Sequence, residues 1–233
     1  MKRVILASTS SLYGQTYLAY LEPRLKTFFQ GISSLLFIPY ARPGGVSHEE
    51  YTSKVADFFA ELSISVTGLH MYADPTDAIK NAQSIFTGGG NTFLLVQQLH
   101  ELGLMSVLKE AVEGGTPYLG TSAGSNIGGV NMKNTNDMPI VYPPSFDTMG
   151  LVPFNINAHY LDPDPTSKHN GETRETRIKE FHIFNTIPVV GLREGSWIEC
   201  NGDDITLEGA LSARIFLQGK EPYEMNVDRI LIK

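Results

Sequence analysis

Short, nearly continuous apolar runs alternate along this chain with longer amphipathic stretches, and no other feature restricts its fold as much. The runs fall at residues 4–7, 33–39, 64–69, 84–87, 118–121 and 188–192. Segments with helical spacing occupy 15–29, 47–62, 92–100 and 105–113. Strands that read as apolar throughout are buried on both faces, and helical crossovers cover them. The pattern predicts an α/β fold with a mostly parallel sheet and helices on both faces. Ser47 followed three residues later by Glu50 marks a capping box where the second helix starts. Beyond residue 196 the runs shorten to 197–200, 205–207 and 213–217, separated by turns such as Asn201-Gly202-Asp203. These predict a small antiparallel C-terminal appendage, so that residues 1–233 form one domain. Asp162-Pro163-Asp164-Pro165 reads as a surface loop.

In parallel sheets, functional groups gather at the carboxyl ends of strands. Two glycine-rich segments fall there. Gly120-Thr121-Ser122-Ala123-Gly124 follows the fifth run and has the form G-x-S-x-G. A serine at such a strand-to-helix turn projects its hydroxyl out of the sheet, and the N–H of the next residue, Ala123, faces the oxygen of an attacked carbonyl. Gly88-Gly89-Gly90-Asn91 follows the fourth run. Its bare backbone suits close approach, with Gly89 or Gly90 supplying a second oxyanion donor. The bland alternative is a plain turn with Asn91 or Thr92 capping the next helix.

A nucleophilic serine needs a base, and the base needs an acid to orient it. Of six histidines, His159 alone ends an apolar–polar alternation, Phe154-Asn155-Ile156-Asn157-Ala158, at a position able to meet Ser122. His48, His70, His100 and His182 suit packing or surface roles. Two acids compete for the third place. Asp137 lies in a polar loop, and Glu194 follows the sixth run. The loser is free to bind an ammonium group. Residues 168–177 mix charges at a helix start, where most suit a solvated face; a guanidinium there can grip a carboxylate.

Composition narrows the partners. The net charge is −7 and no basic stripe occurs, which argues against nucleic acid. The N-terminal apolar run is too short for a membrane span or a signal segment. Cys200 is the only cysteine, so no intrachain disulfide forms; a reducing cytoplasm is the expected setting. No metal-ligand spacing is present, and no metal is expected.

Taken in order, Gly88-Gly89-Gly90-Asn91-Thr92-Phe93, Ser122-Ala123-Gly124, Thr135-Asn136-Asp137-Met138-Pro139-Ile140, Asn157-Ala158-His159, Gly171-Glu172-Thr173-Arg174 and Glu194-Gly195-Ser196-Trp197 resemble the peptidase E family of serine-type aspartyl dipeptidases, over nearly the whole chain. The resemblance implies a fold like that of class I glutamine amidotransferases and a cofactor-free enzyme. It implies hydrolysis of dipeptides with an N-terminal aspartate through an acyl-enzyme, in a monomer or homodimer. It implies Ser122 as nucleophile, His159 as base, either Asp137 or Glu194 as the acid, and Arg174 as the group gripping the aspartyl carboxylate. Thr121 and Arg193 stand where bacterial members carry tryptophan and proline. A general acyl hydrolase would share the serine and base without the arginine, a cyanophycin-degrading relative would cleave a polymer, and a non-catalytic amidotransferase-like binding module would keep the fold alone.

Overall fold

The computed structural model describes residues 1–164, 166, 168 and 171–227. Pro165 of the expected surface loop, and His169 and Asn170 of the charged stretch, lie outside the described residues. The chain builds two sheets. In the larger, β1 (Arg3–Ala7), β2 (Ser34–Ile38), β3 (Ser65–Gly68), β4 (Ile85–Thr87) and β5 (Tyr118–Thr121) run parallel in the order β3-β2-β4-β5-β1. The smaller sheet begins with a parallel pair, β6 (Asn155–Ala158) and β7 (Val189–Leu192).

Side-chain alternation divides the core of the large sheet. Ile5, Ala7, Leu35, Phe37, Phe86 and Leu119 point to one face. There they meet Leu25 and Phe28 of α1 (Glu22–Phe28) and Tyr51, Val55 and Phe59 of α2 (His48–Ala60). Val4, Leu6, Leu36, Ile38, Ile85 and Tyr118 point to the other. They pack on α3 (Pro75–Lys80), α4 (Thr92–Glu101), α5 (Leu104–Glu113) and α6 (Ala123–Asn126). Each buried Val, Leu, Ile or Phe side chain among them contributes about 1.5–3 kcal/mol by leaving water. The small sheet docks on this second face through Ile156, Val190, Leu192 and Ile215. Its outer face, with Val189 and Phe216, is covered by Ile178 of α7 (Arg174–Phe184).

The C-terminal strands pair antiparallel, as expected, and attach to both sheets. β8 (Ser196–Asn201) and β9 (Asp204–Gly209) extend the large sheet antiparallel beyond β1, while β10 (Ala213–Phe216) and β11 (Tyr223–Met225) join β7 in the small one. The sixth apolar run, now β7, thus pairs in parallel as its composition suggests, but in the second sheet. Its burial on both faces is the same signature whichever sheet supplies the neighbours. Gly195, at φ 90°, makes the turn that carries the chain from one sheet to the other.

Two local signals explain element starts. The capping box forms as its spacing requires, with Glu50 N–H donating to Ser47 Oγ and Ser47 N–H to Glu50 Oε2. The first helix starts at Glu22, seven residues later than its periodicity suggests. Pro23 in its first turn would clash with the carbonyl of residue 19 in any longer helix.

Candidate active site

Ser122 sits between β5 and α6 at φ 53° and ψ −113°, a strained conformation for a residue with a side chain. Neighbouring glycines make the bend possible. A Cβ on Gly124 would lie 2.1 Å from the Thr87 carbonyl oxygen, and one on Gly120 would lie 2.4 Å from that of Gly124. The turn is held by Ser122 N–H donating to Ala7 O at 3.1 Å. The Ser125 hydroxyl lies 2.7 Å from Ala7 O and 2.8 Å from Gly120 O. Thr121 is fully buried, which leaves no space for an indole in this packing.

His159 follows β6 and also has positive φ, 55°. Its Nε2 lies 2.9 Å from Ser122 Oγ, and its Nδ1 lies 2.6 Å from Glu194 Oε1. Glu194 follows β7, whose Leu192 is in register with Ala158 of β6. Adjacent parallel strands therefore deliver the His159 imidazole and the Glu194 carboxylate to one edge, and with Ser122 they form a continuous hydrogen-bonded chain. The side chains of His159 and Glu194 are 37% and 44% exposed, so a solvent molecule can reach them.

Asp137 is not in that chain. Its Oδ2 accepts from the Thr92 N–H at 2.7 Å and from the Thr135 hydroxyl at 3.1 Å. It thus caps the first turn of α4, where a carboxylate also complements the helix dipole. Of the two acids left open by the sequence, Glu194 alone reaches the imidazole.

The glycine loop lies over the serine. A Cβ on Gly89 would approach Ser122 Cβ to 2.9 Å and Ser122 Oγ to 3.4 Å. Gly90, at φ 151°, turns so tightly that a Cβ would lie 2.2 Å from Ala41 O. The Tyr51 hydroxyl fixes the loop by donating to Gly89 O at 3.2 Å. Asn91 does cap α4, accepting from Leu94 N–H, so capping and close approach coexist in one segment. Among the described residues, the N–H groups of Gly89, Gly90 and Ala123 donate to no other group.

Arg174 opens α7 and lines a cavity of about 410 Å³ with Leu161, Asp162, Glu172 and Arg177. Ser122 and His159 are not among the lining residues. Among the described residues Arg174 forms no ion pair, whereas Arg177 pairs with Glu172. Burial lowers the guanidinium from its ordinary range, the nearby Arg177 charge lowers it further, and the Asp137 carboxylate opposes both. Arg193 is used differently: it forks onto Asp162 at 2.6 and 2.8 Å and onto Glu224 at 2.9 and 3.0 Å. Its hydrogen bonds hold the Glu224 carboxyl down at about 2.

The remaining candidates are engaged elsewhere. His100 contacts Asp147 O, His182 contacts Asn185 O, and His70 lies 3.5 Å from Glu49. Cys200 is buried, and burial pushes its thiol up to about 12, which suits a packing role. Among the described residues, no group of three or more His, Cys, Asp or Glu side chains is placed to hold a metal ion, and no helix is long and apolar enough to cross a membrane.

A serine on a strained turn at the carboxyl edge of an α/β sheet, with an imidazole and a carboxylate in line behind it, is the arrangement of a serine-type hydrolase. The chain belongs to peptidase family S51, whose sequence model matches residues 4–208, and it is a serine peptidase. It is 46% identical to peptidase E of Streptomyces coelicolor over 224 residues, which is 96% of this chain and 91% of the relative. It is 42% identical over 218 residues to a Drosophila melanogaster protein named "Probable alpha-aspartyl dipeptidase", covering 92% and 90% of the two chains. Peptidase E of Escherichia coli (strain CFT073) is 40% identical over 94% of this chain and 95% of its own. The fold is similar to the crystal structure of a peptidase from an acI-B1 Actinobacterium, with a TM-score of 0.73 at 18% identity, over 100% of this chain and 97% of that one.

Proposed function

We propose that this peptidase hydrolyses dipeptides with an N-terminal aspartate, using Ser122 as nucleophile, His159 as general base and Glu194 as the acid that orients it. The observation that carries the reading is the unbroken hydrogen-bonded series from Glu194 through His159 to Ser122. Glu194 accepts a hydrogen bond from Nδ1–H and so holds the tautomer in which Nε2 is free to take the proton of the Ser122 hydroxyl. Ser122 Oγ then bonds to the peptide carbonyl carbon. The electron pair displaced onto the carbonyl oxygen is held by the Ala123 N–H and by Gly89 or Gly90; one such donor is worth about 2.7–4 kcal/mol. His159 passes its proton to the leaving amine, the C–N bond breaks, and an ester to Ser122 remains. Water repeats the sequence and releases aspartate.

Arg174 supports the choice of an aspartyl substrate. A half-buried guanidinium without a partner among the described residues is costly unless a ligand completes it, and a carboxylate matches its fork. The relatives named peptidase E and alpha-aspartyl dipeptidase point the same way. Asp137, placed close enough for Arg174 to feel its charge, serves to hold the α4 terminus. A cytoplasmic setting fits the single, buried thiol. The test is Ser122→Ala, assayed on Asp-Leu. Turnover is expected to fall at least about 10³-fold with an unchanged circular dichroism spectrum; turnover retained by the folded variant overturns the reading.

A further inference from the structure

The nucleophile and its base belong to different sheets, so something must set the distance between them. Residues 7 and 8, where β1 ends, do so in consecutive positions. The carbonyl of Ala7 accepts from Ser122 N–H at 3.1 Å. The hydroxyl of Ser8 accepts from His159 N–H at 2.9 Å and donates to Leu192 O at 2.7 Å. The donor directions are forced, because an amide N–H only donates, a carbonyl only accepts, and the hydroxyl has a single proton. Ser8 is fully buried, and its own N–H donates to Ser196 O at 3.2 Å, anchoring it to the start of β8.

We propose that Ser8 is a positioning residue for the reaction, its hydroxyl clamping the His159 backbone to the β7 edge while the adjoining Ala7 carbonyl holds the Ser122 turn. This rests on the serine–histidine–glutamate reading above and adds the element that fixes its spacing. His159 needs such a clamp because its φ of 55° is disfavoured for a residue with a side chain. Leu192 lies two residues before Glu194, so one hydroxyl sits between the backbones that carry base and acid. Other braces reach the neighbours of His159: Ala158 N–H is 3.4 Å from Asn126 Oδ1 and its carbonyl 2.9 Å from Asn136 Nδ2, while Tyr160 N–H donates to Leu192 O at 3.1 Å, the carbonyl that Ser8 also uses. Among the described residues, only Ser8 holds the His159 amide itself.

Ser8→Ala, Ser8→Thr and Ser122→Ala are compared on Asp-Leu. Ser8→Ala is expected to lower kcat about 10²-fold, the size of loss that a displacement near 1 Å produces, with KM little changed. The downfield proton resonance of His159 Nδ1–H, shared with Glu194, is expected to move in the same variant, and Ser8→Thr is expected to restore much of kcat. A fall in kcat that merely tracks the unfolded fraction, with the resonance unmoved, overturns the proposal. If Ser8→Ala does not fold, Ser8→Cys keeps the shape with a weaker hydrogen bond and is read by the same two measurements. A dead Ser122→Ala beside a fully active Ser8→Ala overturns this inference alone. Turnover surviving in Ser122→Ala overturns the serine reading, and this proposal with it.

Discussion

The Ser122 turn and the His159–Glu194 rim reach the same edge by different means. At the turn, everything needed lies within a few residues: Gly120 and Gly124 remove the atoms that would collide, and Ser125 secures the bend through its hydroxyl. At the rim, His159 and Glu194 are 35 residues apart and are brought together by pairing of β6 with β7. One half of the site is specified by local sterics, the other by tertiary topology. The difference shows what substitutions should do: changes at the turn are felt by the backbone, and changes at the rim by the geometry of proton transfer.

Experiments can break or sharpen this contrast. After the loss expected of Ser122→Ala, the largest effect should come from Glu194→Gln, which keeps the shape but cannot hold the imidazole in the same tautomer. A fall of about 10²–10⁴-fold in kcat is expected, whereas Asp137 as the true acid would spare this variant. Next, Arg174→Ala should cost about 10²-fold in kcat/KM on Asp-Leu, from the loss of charged hydrogen bonds, and little on a reactive neutral ester; equal losses on both would make Arg174 structural. Asp137→Ala should destabilise the fold by about 1 kcal/mol in urea titration, the usual worth of a helix-capping side chain. Its effect on kcat should be smaller than that of Glu194→Gln. The smallest effect concerns acid stability. The Glu224 carboxyl sits at about 2 in the folded chain, below the ordinary carboxylate value of about 4.3. A depressed carboxyl stabilises the fold above its unfolded pKa, and that contribution fades as pH falls from about 4.3 toward 2. Exposure screens the pair, so Arg193→Ala should flatten the acid limb of a stability curve only slightly.

The same division explains what could be read from the sequence. The α/β alternation, the parallel strands and the capping box at Ser47 were legible because each is encoded within one element. The Ser122 turn was legible for the same reason, since its glycines surround it. The carboxylate partner of His159 was not. Asp137 lies in a polar loop and Glu194 follows the β7 run, and only the pairing of Ala158 with Leu192 separates them. The division of the last strands between two sheets was hidden because β7 and β8 follow each other through a short turn and both bury apolar side chains, which does not say which sheet each joins. Arg193 replaces a proline expected from the family resemblance, and its partners Asp162 and Glu224 lie 31 residues away on either side, beyond any local pattern. Ser8 carried one usable signal: it follows β1 at the same carboxyl edge that singled out Ser122.

Because the serine is rooted in one sheet and the imidazole in another, the proposed mechanism makes reactivity depend on how firmly the two slabs stay docked. Slippage by less than the width of a water molecule would disarm the centre while each slab kept its own hydrogen-bond ladder. Heating should therefore silence turnover before far-ultraviolet ellipticity begins to change, which makes catalysis a finer gauge of inter-sheet contact than any probe of secondary structure.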